Sequence, residues 1–300
     1  MHSRMKSFSS IADFYHSIGT SIPKNSELAV HTIQELHQSY PFRSPDFRAN
    51  YFSVVIVKSG SGHYRLDNNE YNIKDYTVYF TNPGHIKGFE LLTHTNATII
   101  TFSERFLFSA SVENAFEQFP FLLAEIVPPS YLSHDLFNEL NQYSQLIIAE
   151  AKTQNTSVTK PLLIALLNKI KQHCWHEYHP QKNEGESSKI VKDFKRLLEE
   201  HFNQLGKLNI HHPLQVQELA KTLQLNASYL SQLIKLKTGK PVSQWIAERT
   251  LLEAETLLKR TTQSIQEIGY HLGFSEPTHF TKFFKKHLKI TPSQYRKAKT

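Results

Sequence analysis

Along residues 189–300 the apolar positions recur at helical spacing, and they do so in two matching blocks. In SIQEIGYHLGFSEPTHFTKFFKKHLKITPSQYRK (264–297), Ile265, Ile268 and Leu272 mark one helix, Gly273 ends it, and Ser275 caps a second helix carrying Phe280, Phe283 and Phe284. The earlier stretch LQVQELAKTLQLNASYLSQLIKLKTGKP (214–241) predicts the same pair, with Asn226 as cap and Gly239 as stop. Leu219 aligns with Ile268, Ala220 with Gly269, Leu223 with Leu272 and Leu225 with Phe274; one extra residue in the second copy then brings Leu230 onto Phe280 and Lys235 onto Lys285. Between the copies, Val242–Lys259 carries Trp245, Ile246, Leu251, Leu252, Ala254, Leu257 and Leu258 and predicts one long helix. Ahead of them, Ile190, Val191, Phe194, Leu197, Leu198 and Phe202 form the apolar stripe of an opening helix. A helix pair of this kind lays its second helix in the major groove of DNA.

Upstream the period changes. Ser9 and Ser10 precede a short helix with Ile11, Phe14, Tyr15 and Ile18, and from Val30 to Phe102 the chain turns to β texture: YFSVVIVKSG, GHYRL, EYNI, YTVYFTN and NATIITF, separated by SGSG, DNN and NPGH. Closely spaced strands with such turns predict a small antiparallel barrel or sandwich, which has room for one small molecule. Three helical stretches follow. These are Phe106–Val127, Ser133–Ala151 with a coiled-coil-like seam of Leu136, Leu140, Tyr143 and Ile147, and Leu162–Trp175 with Leu163, Leu166, Leu167 and Ile170. The polar run QKNEGESS after Pro180 reads as a linker. The expected organisation is therefore residues 1–180 (barrel about 28–103, helices about 106–178), a linker at 181–188, and 189–300, an α+β multidomain chain with an all-α C-terminal part.

Charge sharpens this division. The 300 residues carry a net charge of +7, yet 189–300 hold 19 Lys and Arg against 9 Asp and Glu, a surplus of ten, while the rest has 15 against 18. A polyanion partner for the C-terminal part follows from that asymmetry. The single Cys174 excludes an intrachain disulfide and zinc-finger chemistry, and with no run of about 18 apolar residues the expectation is a cytoplasmic protein.

The stretch 264–297 resembles the C-terminal signature of the AraC/XylS transcription regulators, through Ser264, Ile265, Glu267, Ile268, Gly273, Phe274, Glu276, Phe280, Lys282, Phe284, Lys285, Lys286, Thr291, Pro292, Tyr295 and Arg296. Two positions depart from it: Gly269 stands where the family has Ala, and Lys289 where it has Gly, which predicts a looser or differently built turn before Thr291. The resemblance covers about the last 110 residues strongly and the remainder in outline. It implies a cupin-like jelly roll at the N-terminus, helices beside it that dimerise the protein, two helix-turn-helix motifs joined by a long helix, and contact with promoter DNA and RNA polymerase. Such a long helix sets the two recognition helices about one DNA turn, roughly 34 Å, apart.

With the apolar residues turned inward, Ser228, Ser231 and Gln232 in the first recognition helix, and Thr278, His279, Thr281 and Lys282 in the second, are left for base edges. Gln232 suits adenine N6 and N7, and Lys282 suits guanine O6 and N7 or a phosphate. Lys235, Lys285 and Lys286 suit phosphates. In the barrel His63, Tyr64, Arg65 and His85 are effector candidates, each equally readable as a residue with no ligand. The function expected is a sequence-specific transcription regulator, an activator, modulated by a small effector or by dimerisation, without a cofactor. The alternatives are a metal-dependent cupin enzyme and an effector-independent DNA-binding or interaction protein. The enzyme lacks support in the sequence, since the barrel region has no His-x-His pair and Cys174 has no neighbouring thiolates for alkyl transfer.

Overall fold

The computed structural model describes residues 6–108, 118–122, 127–153, 156–175, 186–205 and 212–298. Two compact units divide near residue 188. Most of the stretch expected as a helix from Phe106 to Val127, and residues 181–185 of the expected linker, lie outside the described residues.

The first unit is built on two sheets. β1 (Lys6–Phe8), β4 (Phe47–Ala49), β9 (Ile86–Leu91), β6 (Gly62–Leu66) and β7 (Asn69–Ile73) lie in that order, with β3 (Phe42–Arg43) also paired to β9. The other sheet runs β11 (Ser130–Tyr131), β8 (Thr77–Thr81), β5 (Phe52–Ser59), β10 (Asn96–Phe102) and β2 (Leu28–Thr32). All pairings are antiparallel except β1 with β4. Val55, Val57, Tyr79 and Ala97 from one sheet meet Tyr64, Leu66, Ile73 and Leu91 from the other in a shared core, the arrangement of a double-sheet jelly roll.

β5 and β8 read as unbroken apolar runs because both of their faces are covered. The outer face packs Phe52, Phe80 and Phe102 into one aromatic cluster with Phe121 and Trp175. Two helices lie beside it, α4 (His134–Lys152, capped by Ser133) and α5 (Thr156–Cys174). α1 (Ile11–Ser17), capped by Ser10, puts Ile11 and Tyr15 against Phe47, Ala49 and Tyr51, while α2 (Ile33–Leu36) and α3 (Glu104–Phe108) flank the sheets. The anticipated seam on α4 is used inside the unit. Leu140 and Ile147 are fully buried together with Phe137, and α4 packs on α5.

The described residues of the second unit form helices with short connections. It contains α6 (Glu186–Asn203), α7 (Val216–Thr222), α8 (Ala227–Thr238), α9 (Val242–Arg260), α10 (Ile265–His271), α11 (Pro277–Leu288) and α12 (Pro292–Lys297). The first copy folds its core around Phe194, Leu198, Leu219, Leu230, Ile234 and Trp245. The second folds around Leu251, Leu258, Ile268, Leu272, Phe280 and Phe284. Early residues of α9 thus belong to one core and late residues to the other, so a single uninterrupted helix of 19 residues, about 28 Å long, supports both.

The turns repeat as well, with exchanged residues. Between the helices of each pair the left-handed position is Gln224 in the first copy (φ 57°) and Gly273 in the second (φ 84°); after each second helix it is Gly239 (φ 78°) and Lys289 (φ 64°). The turn before Thr291 is therefore not looser than expected of glycine: Lys289 adopts the glycine conformation itself, and its N–H bonds to the Lys285 carbonyl at 2.9 Å. That conformation costs a side-chain-bearing residue about 1–2 kcal/mol, of which glycine's greater freedom when unfolded returns part. Lys289→Gly is accordingly expected to stabilise the second unit by about 1 kcal/mol in urea denaturation.

Gly269 has its own reason. A Cβ there would lie 3.3 Å from Cβ of Phe280, so the second copy pairs a smaller residue with a larger one where the first pairs Ala220 with Leu230.

Candidate nucleic-acid interface

Local chemistry places α8 and α11. Asn226 Oδ1 accepts the N–H groups of Ser228 (2.8 Å) and Tyr229 (3.4 Å), satisfying the start of α8. α11 starts differently. Glu276, not Ser275, occupies the cap position, with Pro277 in the first turn, and its carboxylate accepts the Thr278 hydroxyl at 3.0 Å. Thr291 and Gln294 form a reciprocal cap on α12, which brings Tyr295 edge-on to Phe284 at 5.5 Å and the Arg296 Nε–H to the Leu258 carbonyl at 3.2 Å. The terminal TPSQYRK thus closes the second helix pair onto α9.

In both helices the apolar triad Leu230, Leu233 and Ile234, or Phe280, Phe283 and Phe284, turns inward. Ser228, Ser231, Gln232 and Lys235 then share about 100° of the opposite arc of α8, and Thr278, Thr281, Lys282 and Lys285 the same arc of α11. Ser231 and Thr281 are half-buried; Ser228, Gln232, Lys235, Thr278, Lys282 and Lys285 are exposed. Lys286 and His279 are exposed at the margin of that arc.

At the matching margin of α8 stand Leu236, 64% exposed, and Tyr229, 50% exposed. Sorting by polarity passes over these two, yet the repeat register sets them on Lys286 and His279. The first face therefore mixes hydrogen-bonding and apolar groups, while the second is strongly cationic.

α8 and α11 are held through α9. Arg249 Nε–H reaches both oxygens of Glu199 on α6, at 3.1 and 3.2 Å, and its terminal N–H reaches Glu253 at 3.2 Å. The guanidinium also lies 4.9 Å from the centre of the Phe202 ring. Burial raises the Glu199 carboxyl, against the pull of Arg249.

The effector candidates of the first unit do not converge. Alternation along β6 turns Tyr64 into the core, whereas His63 and Arg65 point to the other face, His63 3.8 Å from Glu70 and Arg65 3.0 Å from Asp46. His85 is held by Asp67 at 2.6 Å. Among the described residues no group of three or more His, Cys, Asp or Glu is placed to hold a metal ion, and no helix is long and apolar enough to cross a membrane.

A helix-turn-helix domain model matches residues 219–298. The Msm operon regulatory protein of Streptococcus mutans is 28% identical over 160 residues, which is 52% of this chain and 55% of that one, so the chain spans about half the length of that relative. The transcriptional activator RhaS of Escherichia coli is 24% identical over 268 residues, 85% of this chain and 88% of RhaS. A solved transcriptional regulator of Chromobacterium violaceum, described as having an AraC-type DNA-binding domain, is 29% identical and covers 38% of this chain and 95% of its own, with a TM-score of 0.32. With the helix pair present twice on one rod, residues 219–298 are a helix-turn-helix domain, and the chain is similar along most of its length to a transcriptional activator.

Proposed function

We propose that the second unit reads an operator with α8 and α11 together, and that the first unit adjusts this binding through a small effector or through dimerisation. The supporting observation is the equivalence of the two exposed arcs: the same positions, 50 residues apart, face away from two cores that share one helix. Ser228, Ser231, Gln232, Thr278, His279, Thr281 and Lys282 meet base edges in this reading, and Lys235, Lys285 and Lys286 meet phosphates. Leu236 adds an apolar contact suited to a thymine methyl group. The relatives named as activators support activation, which includes contact with RNA polymerase, in the cytoplasm and without catalysis by this chain.

The test is operator selection followed by titration at several salt concentrations. Gln232→Ala and Lys282→Ala are expected to relax preference at particular base pairs, each costing about 1–3 kcal/mol on the selected site. Lys285→Ala and Lys286→Ala are expected to weaken binding to every sequence and to lower the salt slope by about 1 each. Equal losses from all four on all duplexes would refute this division of roles.

A further inference from the structure

α8 and α11 share a fold and differ in surface chemistry, and one stripe on each concentrates the difference. Along α8, Tyr229, Gln232 and Leu236 follow the spacing i, i+3, i+7 and lie within about 60° of one another around the helix, turned away from Leu230 and Ile234. Tyr229 and Leu236 are the large apolar side chains that α8 exposes, and Gln232 stands exposed between them. The repeat register sets His279, Lys282 and Lys286 on the same stripe of α11, all three exposed.

Two apolar side chains on an otherwise polar face have a counterpart in the major groove. Of the four bases only thymine presents an apolar group there, its methyl. Gln232 has the acceptor and donors that pair with adenine N6 and N7, and adenine stands opposite thymine. The three side chains thus select one kind of base pair. Along the axis Leu236 lies about 6 Å from Gln232, and Tyr229 about 4.5 Å to the other side. Base pairs follow one another every 3.4 Å or so, roughly, so the stripe matches about four consecutive base pairs.

The lysines of α11 bring donors and no acceptor. Guanine sets two acceptors, N7 and O6, side by side, whereas adenine sets its N6 donor beside N7 and opposes an ammonium. Lys282 accordingly fits guanine, with Lys285 and Lys286 beside it for phosphates.

We infer that the operator is bipartite and directional: α8 reads an A·T segment of about four base pairs through Gln232 and through thymine methyl groups packed on Tyr229 and Leu236, and α11 reads a guanine-containing segment about one turn away. Tyr229 and Leu236 are then specificity-determining residues. Because the two segments differ in kind, the chain lies on the duplex in one orientation. This assignment deepens the two-headed reading proposed above and rests on it.

Selection of duplexes by the full chain from a random pool, followed by base analogues in the selected duplex, tests it. Gln232→Ala and Lys282→Ala identify which segment belongs to which helix. Deoxyuridine in place of thymidine removes only the methyl group, and 7-deazaguanine removes only the N7 acceptor, so neither probe depends on a variant that folds. Deoxyuridine in the α8 segment is expected to weaken binding about fourfold per contacted methyl, and in the α11 segment less than about twofold. Leu236→Ala is expected to lose about fourfold on the thymidine duplex and to become indifferent to one of those methyl groups. 7-Deazaguanine in the α11 segment is expected to cost about fivefold, and to cost Lys282→Ala nothing further. Exchanging the two segments without inverting them is expected to cost at least about tenfold. Two segments a turn apart with deoxyuridine ineffective or equally effective in both, or with a G·C-rich α8 segment, would overturn the assignment and leave the two-headed reading standing. Undiminished binding by Leu236→Ala would overturn it as well, and would give the stripe to a protein partner. Selection of no duplex above random would end both readings.

Discussion

Arg249→Met is expected to lower the unfolding free energy of the second unit by about 3–5 kcal/mol. The side chain of Glu199 is 8% exposed, and Arg249 bonds both of its carboxylate oxygens. Removing the guanidinium leaves that carboxylate inside the helix bundle without a charge partner, and also uncovers the face of Phe202. Urea denaturation followed by Trp245 fluorescence, in a Trp175→Phe background, reports this unit alone, since the chain has only two tryptophans. Replacing both members of the pair by apolar residues is expected to recover most of the loss, because the cost lies in the stranded charge more than in the missing attraction. A loss under about 1 kcal/mol for the single substitution would mean that water reaches Glu199 and that the pair does not brace α6 against α9.

The second large effect has the opposite sign. Lys87→Met is expected to stabilise the first unit at pH 7 by several kcal/mol. Burial pushes the Lys87 amine down from 10.5 to about 7, partly opposed by Asp67, and a displacement of that size corresponds to at most about 5 kcal/mol. The direction with pH follows from linkage. Above about 10.5 the amine is neutral folded and unfolded, and no penalty exists. As the pH falls toward 7 the unfolded chain takes up a proton that the folded chain refuses, so stability declines; below about 7 both are protonated and the penalty is constant. The advantage of Met over Lys should therefore be largest at pH 7 and below, and nearly gone at pH 10.5. Denaturation followed by Trp175 in a Trp245→Phe background checks it. A pH-independent difference, or a less stable Met variant, would contradict the buried charge.

The second unit is the more legible in the sequence, because its structure is carried by local, repeated signals. Leu219 to Leu230 and Ile268 to Phe280 mark the same inward face twice, and two periods of a pattern are far less ambiguous than one. What escaped there depends on three-dimensional neighbours. Ser275 looks like a cap, but the helix begins one residue later on Glu276. Lys289 looks incompatible with a glycine turn, yet it accepts the strained conformation.

The first unit shows its uninterrupted apolar strands and hides its interrupted ones. β5 and β8 are buried on both faces and stand out as apolar runs, whereas β9 (IKGFEL) is interrupted by Lys87 and Gly88. That interruption is also the informative feature. Reading β9 by alternation alone puts Lys87 on the face of Phe89 and Leu91, and only the structure tells whether such a lysine escapes to solvent or stays inside. Among the effector candidates Tyr64 reaches the cleft between the two sheets, because inward and outward residues alternate so strictly on β6 that its neighbours His63 and Arg65 face away.

The shared helix α9 has a consequence for the nucleic acid itself. A support that belongs to two cores has no joint at which one reading head can swing relative to the other. If both helices read the operator together, as proposed, the operator is expected to hold a fixed helical phase. Inserting five base pairs between the two contacted segments turns one of them to the far side of the duplex, at about 10.5 base pairs per turn. Such an operator is held by one head only, whereas inserting a full turn restores the facing but stretches the gap beyond reach.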